Sequence, residues 1–337
     1  NLMYKGYTIQ PYSPAAGTGL SSHELNQPNA YREISDTSAV AMFKIVGSDN
    51  EYFLAWTTTP WTLPSNTAVA LGKDITYVTV RSFNRYTGTP MVVILAKDRF
   101  SHYFSEQNPD LKPEDVKPGN KPMPYIEIVA EMKGSELEGI EYEQLLPYVK
   151  PDGPAFKALL GDFVSTEDGT GIVHIAPTFG ADDFRIAKQY GIVPLMVKDE
   201  AGNPMPLVDK RGRFVAEVTD FAGRYVKDYG QVEEHSVDVD IVIKLKEEDK
   251  LFGSEKYVHS YPHCWRTDRP VLYYPLHSWF IKASSMKERM FELNQTINWK
   301  PAATGEGRFG KWLENLQDWN LSRSRYWGIP LPIWRSK

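Results

Sequence analysis

Residues 57–66 read TTTPWTLPSN, and the fold of the surrounding chain turns on what that stretch becomes. Three consecutive β-branched threonines favour an extended backbone. Pro60 and Pro64 then remove amide donors and bias Thr59 and Leu63 away from helix. The spacing predicts a strand through FLAW, residues 53–56, whose end opens into a rigid polar loop. Four threonine hydroxyls and one asparagine amide there are possible hydrogen-bond donors or acceptors. A Thr-rich strand edge closed by a proline turn explains the same composition.

On either side the pattern is one of strands. Residues 1–46 read as short strands and turns, ending in the near-alternating SAVAMFKIV. After the threonine loop come TAVALG, ITYVTVRSF and TPMVVILA, then a Pro-, Lys- and Asp-rich loop over 108–124 and the strand YIEIVAEMKG. This spacing predicts an α+β fold built on a closed or partly closed β-barrel with helices outside it.

A second unusual stretch lies a hundred residues on. DFVSTEDGTGIVHIAPTFGADDFRIAKQY, residues 162–190, reads as a glycine turn, a short buried strand stopped by Pro177, and a helix. The helix opens at Ala181 or Asp182 and is closed by Gly191. Asp182 and Asp183 then lie in its first turn, near the positive end of the macrodipole. They serve there as caps or as binding groups. His174 sits on an apolar strand, a usual place for a core histidine, but close to a strand end. Further on, VDVDIVIKLKEEDK has helical character, SYPHCWRTDRPVLYYPLHSWFIK reads as aromatic-rich strands, and helices are expected at MKERMFELN and GRFGKWLENLQDW. The chain divides on this reading into linker strands (1–46), a main domain (47–235), a return linker (236–281) and a helical segment (282–337).

Composition narrows the function classes. Hydrophobic content of 42% and charged content of 24% suit a soluble globular protein. No run approaches the ~18 apolar residues of a membrane span, and no apolar leader opens the chain. The first residue is not Met, so the sequence reads as a piece of a longer protein. With one cysteine no intrachain disulfide is possible, and a cytoplasmic setting is expected. The net charge of −5 is uneven: residues 282–337 hold ten Lys/Arg against five Asp/Glu, +5, leaving −10 for the rest. A basic arm on an acidic body suits a protein that touches nucleic acid at one end, and a solvated helical face gives the same count.

Several chemistries are disfavoured. His263-Cys264 with His259 lacks the two close ligand pairs of structural zinc, so no metal and no cofactor is expected. No G-x-S-x-G elbow or phosphate-cradling G-x-x-x-x-G-K-[ST] is present. The threonine loop, His174 and Asp183 remain, without a covalent nucleophile. That set suits hydrolysis of an already activated ester by a positioned water. The carboxylate would grip a substrate ammonium, while hydroxyls and amides hold the water or the developing oxyanion.

TTTPWTLPSN together with GTGIVHIAPTFGADDF, residues 169–184, closely resembles the editing domain of the isoleucyl-tRNA synthetases. YKGYTIQPYSPAAGTGLSSHE at the start, and SYPHCWR and SRSRYWGIPLPIW near the end, resemble that family's linkers and its return to the catalytic core. The valyl and leucyl relatives carry a Thr-Thr-Arg-Pro version of the first motif, where this chain has Thr59 and then Trp61. Thr267 stands where some relatives have a zinc-binding cysteine. The His-Ile-Gly-His and Lys-Met-Ser-Lys-Ser signatures are absent, so these residues are not expected to make aminoacyl-adenylate.

The resemblance implies post-transfer editing, in which valine wrongly attached to the isoleucine tRNA is hydrolysed, with valyl-adenylate or valyl-adenosine as small substrates. Two such amino acids differ by one methylene, and isoleucine against valine is the standard instance of a difference too small for one binding step. By the same resemblance Asp183 anchors the α-ammonium, and Thr57, Thr58, Thr59 and Asn66 bind the terminal adenosine, ester and water. His174 and Trp56 line the amino-acid side, with His174 as a size gate or water-orienting group. The implied partners are the tRNA(Ile) 3′ end and the rest of the synthetase chain, with no membrane, and a monomer is expected. A docking module that binds tRNA without hydrolysis, and an esterase for simple esters, are the competing classes.

Overall fold

The computed structural model describes residues 2–119, 121–322 and 328–334. Residues 323–327 of SRSRYWGIPLPIW therefore lie outside the described residues. The chain divides into two compact units, Pro11–Tyr274 and Asn1–Gln10 with Pro275–Lys337.

The larger unit is built on one curled, mixed sheet of nine strands that makes a half-barrel. In chain order these are β1 (Tyr31–Lys44), β2 (Glu51–Thr57), β3 (Ala68–Leu71), β4 (Thr76–Phe83), β5 (Pro90–Ala96), β6 (Glu127–Lys133), β7 (Lys157–Leu160), β8 (Ile172–Ile175) and β9 (Leu251–Pro262). The hydrogen-bonded order is β6-β4-β5-β2-β8-β3-β7, with β1 joined to β2 and β9 joined to β1. The strands expected from sequence at FLAW, TAVALG, ITYVTVRSF, TPMVVILA and GIVHIAP are β2, β3, β4, β5 and β8.

At the centre stands β2. One edge pairs antiparallel with β1 over Thr57–Tyr52 against Ala39–Lys44. The other edge is shared: β5 pairs parallel with Glu51–Phe53, and β8 pairs parallel at Trp56. Phe53 and Leu54 are 0% exposed, and each such burial contributes roughly 1.5–3 kcal/mol. The strand that carries Thr57 is therefore firmly held.

The change of neighbour along β2 is bridged by the Gly-Thr-Gly turn before β8. Thr170 accepts from the Ala96 amide at 2.9 Å and donates its hydroxyl to the Leu54 carbonyl at 2.6 Å. Gly169 and Gly171 have φ of +63° and +73°, and a Cβ on the second would lie 2.3 Å from Ala96 Cβ. Both the backbone shape and the close approach demand glycine.

Side chains alternate across the sheet. Val40, Leu54, Val93 and Phe252 build one core cluster. Ala68, Ala70, Ile175, Ile186 and Ala187 build another, where helix α1 (Ala181–Tyr190) packs on β3 and β8. That helix ends as the sequence predicts, with Gly191 left-handed at φ 66° and its amide bonded to the Ala187 and Lys188 carbonyls. Helix α2 (Val237–Glu247) occupies the VDVDIVIKLKE segment, with Asp238 and Asp240 in its first turn and Lys244 and Lys246 in its last, matching the helix dipole.

The expectation of only short strands in residues 1–46 is corrected: β1 is 14 residues long. Its outer half pairs with β9 from Tyr31↔Pro262 to Asp36↔Tyr257, a partner more than two hundred residues away that no local pattern announces.

In the smaller unit, Phe280 and Ile281 pair antiparallel with Asn320 and Trp319, and the Tyr4 ring stacks on Phe280 with centroids 5.3 Å apart. The expected helices lie at Lys287–Gln295 and, after a π-helical turn over Thr304–Phe309, at Gly310–Glu314.

Candidate active site

Parallel pairing of β2 with β8 places the carboxyl ends of both strands at one end of the sheet. Thr57–Asn66 follows the first strand and Ala176–Asp183 the second, so the two motifs, a hundred residues apart in sequence, come out side by side. Three contacts join them. The Thr67 amide donates to the Ile175 carbonyl at 2.9 Å. The Trp61 ring meets Phe179 edge-on at 4.9 Å. Thr62 Oγ1 lies 3.0 Å from His174 Nε2.

The loop is more regular than the expected turn. Pro60–Ser65 forms a buried 3-10 helix, with Pro60 at its first turn where the missing amide costs nothing. This turn points Thr62 inward. Its hydroxyl donates to the Thr59 carbonyl at 2.8 Å, which leaves His174 Nε2–H as the donor to Thr62. Thr59 Oγ1 lies 3.4 Å from Thr62 Oγ1 and 3.3 Å from Thr57 Oγ1, and Thr57 Oγ1 accepts the Thr59 amide at 3.0 Å. Thr57, Thr59, Thr62 and His174 thus form one chain of polar groups. Thr58 is half-buried beside them.

Burial lowers the His174 pKa to about 4, so its imidazole is neutral at physiological pH. With the proton on Nε2, Nδ1 is a buried acceptor, and it has no partner among the described residues. Trp61 Nε1, Ser65 Oγ, Thr67 Oγ1 and Thr178 Oγ1 are likewise buried and without partners in this structure. These atoms lie in or next to the two segments and are available to ordered water or to a ligand.

Asp183 lies in the first turn of α1, where the sequence placed it. Its Oδ2 accepts the Ala176 amide at 2.8 Å, tying the helix start to the end of β8. Burial raises its pKa to about 7, against the pull of that amide. The carboxyl rests against Gly180, where a Cβ would come within 2.6–2.8 Å of it. Asp182 is instead exposed and pairs with Arg185 at 3.2 Å.

Two expected site residues stand apart. Asn66 is 2% exposed, and both ends of its amide are engaged: Nδ2 donates to the Ala68 carbonyl at 2.8 Å, and Oδ1 accepts the Tyr142 hydroxyl at 2.6 Å. One bond at each end of the amide ties the loop to β3 and to Tyr142. Tyr142→Phe is expected to strip that acceptor of its donor and destabilise the fold by about 1–3 kcal/mol, read as a lower urea midpoint. An unchanged midpoint would show that Asn66 does not depend on Tyr142. Trp56 pairs in register with Val173, so it faces away from Thr57 and His174. It meets Tyr257 edge-on at 5.0 Å and lines a cavity of about 280 Å³ with Val40, Tyr103, Arg85 and Phe252. Thr62 and Gly180 were not singled out from sequence, although both lie inside the two quoted motifs. Cys264 is buried with Leu20, Leu25 and Val271.

The family model for tRNA synthetases class I (I, L, M and V) matches residues 1–337. The isoleucine–tRNA ligase of Cytophaga hutchinsonii is 64% identical over 354 residues, covering 100% of this chain and 32% of that protein. That of Bacteroides fragilis is 56% identical over 363 residues, with the same coverage, and that of Clostridium tetani 42% over 333 residues, 99% of this chain and 28% of that protein. The chain spans about a third of the length of these curated relatives. Among solved structures, "The crystal structure of GlLeuRS-CP1" is similar with a TM-score of 0.40 at 16% identity, covering 64% of this chain and 97% of that one. The cytosolic leucyl-tRNA synthetase editing domain of P. knowlesi gives 0.34 at 14%, covering 51% and 67%.

Proposed function

Since the chain belongs to the class I tRNA synthetase family (I, L, M and V), we propose that its larger unit hydrolyses misattached valine from the isoleucine tRNA, with valyl-adenylate as a second substrate. One observation carries this reading: the parallel β2–β8 pair sets the threonine loop and the Asp183 helix side by side at one end of the sheet.

In this mechanism the Asp183 carboxylate takes the α-ammonium of the amino acid, a charge-assisted contact that fixes the ester carbonyl. Binding the cation offsets the burial that holds the carboxyl near neutrality. Thr57, Thr58 and Thr59 hold the terminal ribose, the ester and the attacking water. No protein nucleophile is consumed: an aminoacyl ester is already activated, and positioning supplies the acceleration. His174, neutral and bonded to Thr62, acts behind the hydroxyls as a support for the loop and a wall of the site, not as a general base. Asn66 serves by locking the loop.

The reading brings with it the tRNA 3′ end, the rest of the synthetase chain and the cytoplasm. The exposed Met286, Leu293 and Ile297 of the smaller unit suit burial by the remainder of such a chain. The test is deacylation of Val-tRNA(Ile) and Ile-tRNA(Ile) by the purified chain. Valine release at least tenfold faster than isoleucine release is expected. Salt-sensitive tRNA binding with no release of valine would make the protein a docking module instead.

A further inference from the structure

The only lysine of the described residues placed in the buried polar set is Lys227, 7% exposed. Its Nζ lies 2.6 Å from Asp36 Oδ2, 3.7 Å from Asp238 Oδ2 and 4.8 Å above the Tyr261 ring. His259 Nε2 lies 3.2 Å from the same Asp36 oxygen. These residues come from β1, α2, β9 and the loop before α2, and none belongs to the two motifs of the site.

A buried ion cluster is a poor source of stability, since desolvating each charge costs several kcal/mol before any attraction is recovered. What this one does provide is a fixed carboxylate. Asp238 is 2% exposed, and its second oxygen, Oδ1, accepts the backbone amide of Trp61 at 2.8 Å. That amide is in the opening turn of the 3-10 helix, where backbone donors have no partner within the helix. Trp61 lies between Thr59 and Thr62, and its ring rests on Phe179, four residues before Asp183. The threonine loop is thus held from one side by α2 and from the other by the loop that leads to the acid.

We propose that Asp238, paired with Lys227, which Asp36 fixes in turn, is a positioning residue for the editing site, setting the threonine loop through the Trp61 amide. The proposal rests on the function given above and extends it to a residue that touches neither substrate nor water. Asp238→Ala removes the acceptor. Asp238→Asn keeps a carbonyl oxygen for the Trp61 amide and removes the charge.

With the whole chain and Val-tRNA(Ile), Asp238→Ala is expected to lower kcat at least about tenfold with KM within about twofold, because misplacement acts on the chemical step. Asp238→Asn should stay within about threefold of wild type. Hydrogen–deuterium exchange over Thr57–Asn66 should quicken in the alanine variant and not in the asparagine one. Equal losses in both variants, or unchanged exchange in Asp238→Ala, would overturn the proposal. If Asp238→Ala does not fold, Asp238→Asn alone decides, since it keeps the acceptor for the Trp61 amide: kcat within about threefold of wild type with unchanged exchange over Thr57–Asn66 supports the proposal, and a tenfold loss of kcat would overturn it. A wild-type chain that releases no valine would refute the function, while the exchange comparison would still decide whether Asp238 holds the loop.

Discussion

Asp183→Asn is expected to cut deacylation of Val-tRNA(Ile) by roughly a hundredfold and, at pH 8, to raise the melting temperature. The two effects share one cause. Asparagine keeps an oxygen for the Ala176 amide, now bonded at 2.8 Å to Asp183, so the start of α1 keeps its tie to β8. What it loses is the charge that would hold the substrate ammonium. In the free protein that charge is unfavourable, because burial raises the carboxyl pKa from 3.8 to about 7.

The sign of the stability effect follows from proton linkage. Between the unfolded value near 4 and the folded value near 7, the folded chain binds the proton more tightly than the unfolded one. Asp183 therefore costs stability progressively as pH rises through that window, and the full cost is present above it. Removing the charge relieves the cost at pH 8 and changes nothing near pH 4. Activity should run the other way. In the wild type, kcat/KM for deacylation should rise as pH rises through about 7, since the proposed mechanism takes the ionised acid as the binding form. In Asp183→Asn that rise should vanish. A variant with wild-type deacylation would show that Asp183 is not the anchor, and an unchanged melting difference across pH would show that its carboxyl is not strained.

The reading of Asp183 as a first-turn acid was available from local signals alone: a glycine turn, a short apolar strand, a proline stop and a closing Gly191. The α+β half-barrel was legible for the same reason, since alternation and turn residues mark most of its strands. Other features depend on distant partners and leave no local trace. Nothing near Asn66 in the sequence announces its bond to the Tyr142 hydroxyl, 76 residues on. The β1–β9 ribbon and the Asp238–Trp61 bond join segments separated by most of the chain. The parallel pairing that unites the two motifs is of this kind as well.

The opposed faces of Trp56 and Thr57 were, by contrast, readable. Neighbouring residues of a strand point to opposite sides, so a pocket lined by both Trp56 and the hydroxyl of Thr57 conflicts with the strand assigned to FLAW. Thr62 lay within the quoted loop, but only the 3-10 turn reveals that it faces His174.

Gly180→Ala should remove deacylation almost as fully as loss of Asp183 itself, roughly a hundredfold, while leaving the fold intact. Gly180 caps α1 with φ −135° and ψ 136°, an extended conformation open to any residue. The backbone therefore does not require glycine there, although alanine is a poorer N-cap than glycine and adds several tenths of a kcal/mol to the cost, about the Gly-to-Ala difference at a cap. The conflict is with one group. A Cβ would lie 2.6 Å from Asp183 Cγ and 2.7–2.8 Å from its two oxygens, closer than carbon and oxygen can approach. The carboxyl is the free end of a short side chain, so it gives way before the backbone does. It would swing off the Ala176 amide and away from the place where the proposed mechanism has it meet the ammonium, with a stability loss near that of one hydrogen bond, about 1 kcal/mol. The signature is a near-normal melting curve, a lost pH dependence and a kcat/KM close to that of Asp183→Asn. Combining Gly180→Ala with Asp183→Asn should cost little more than either change alone, because both act on one contact. Full additivity of the two losses would show that Gly180 serves the site by some route other than the room it leaves for Asp183.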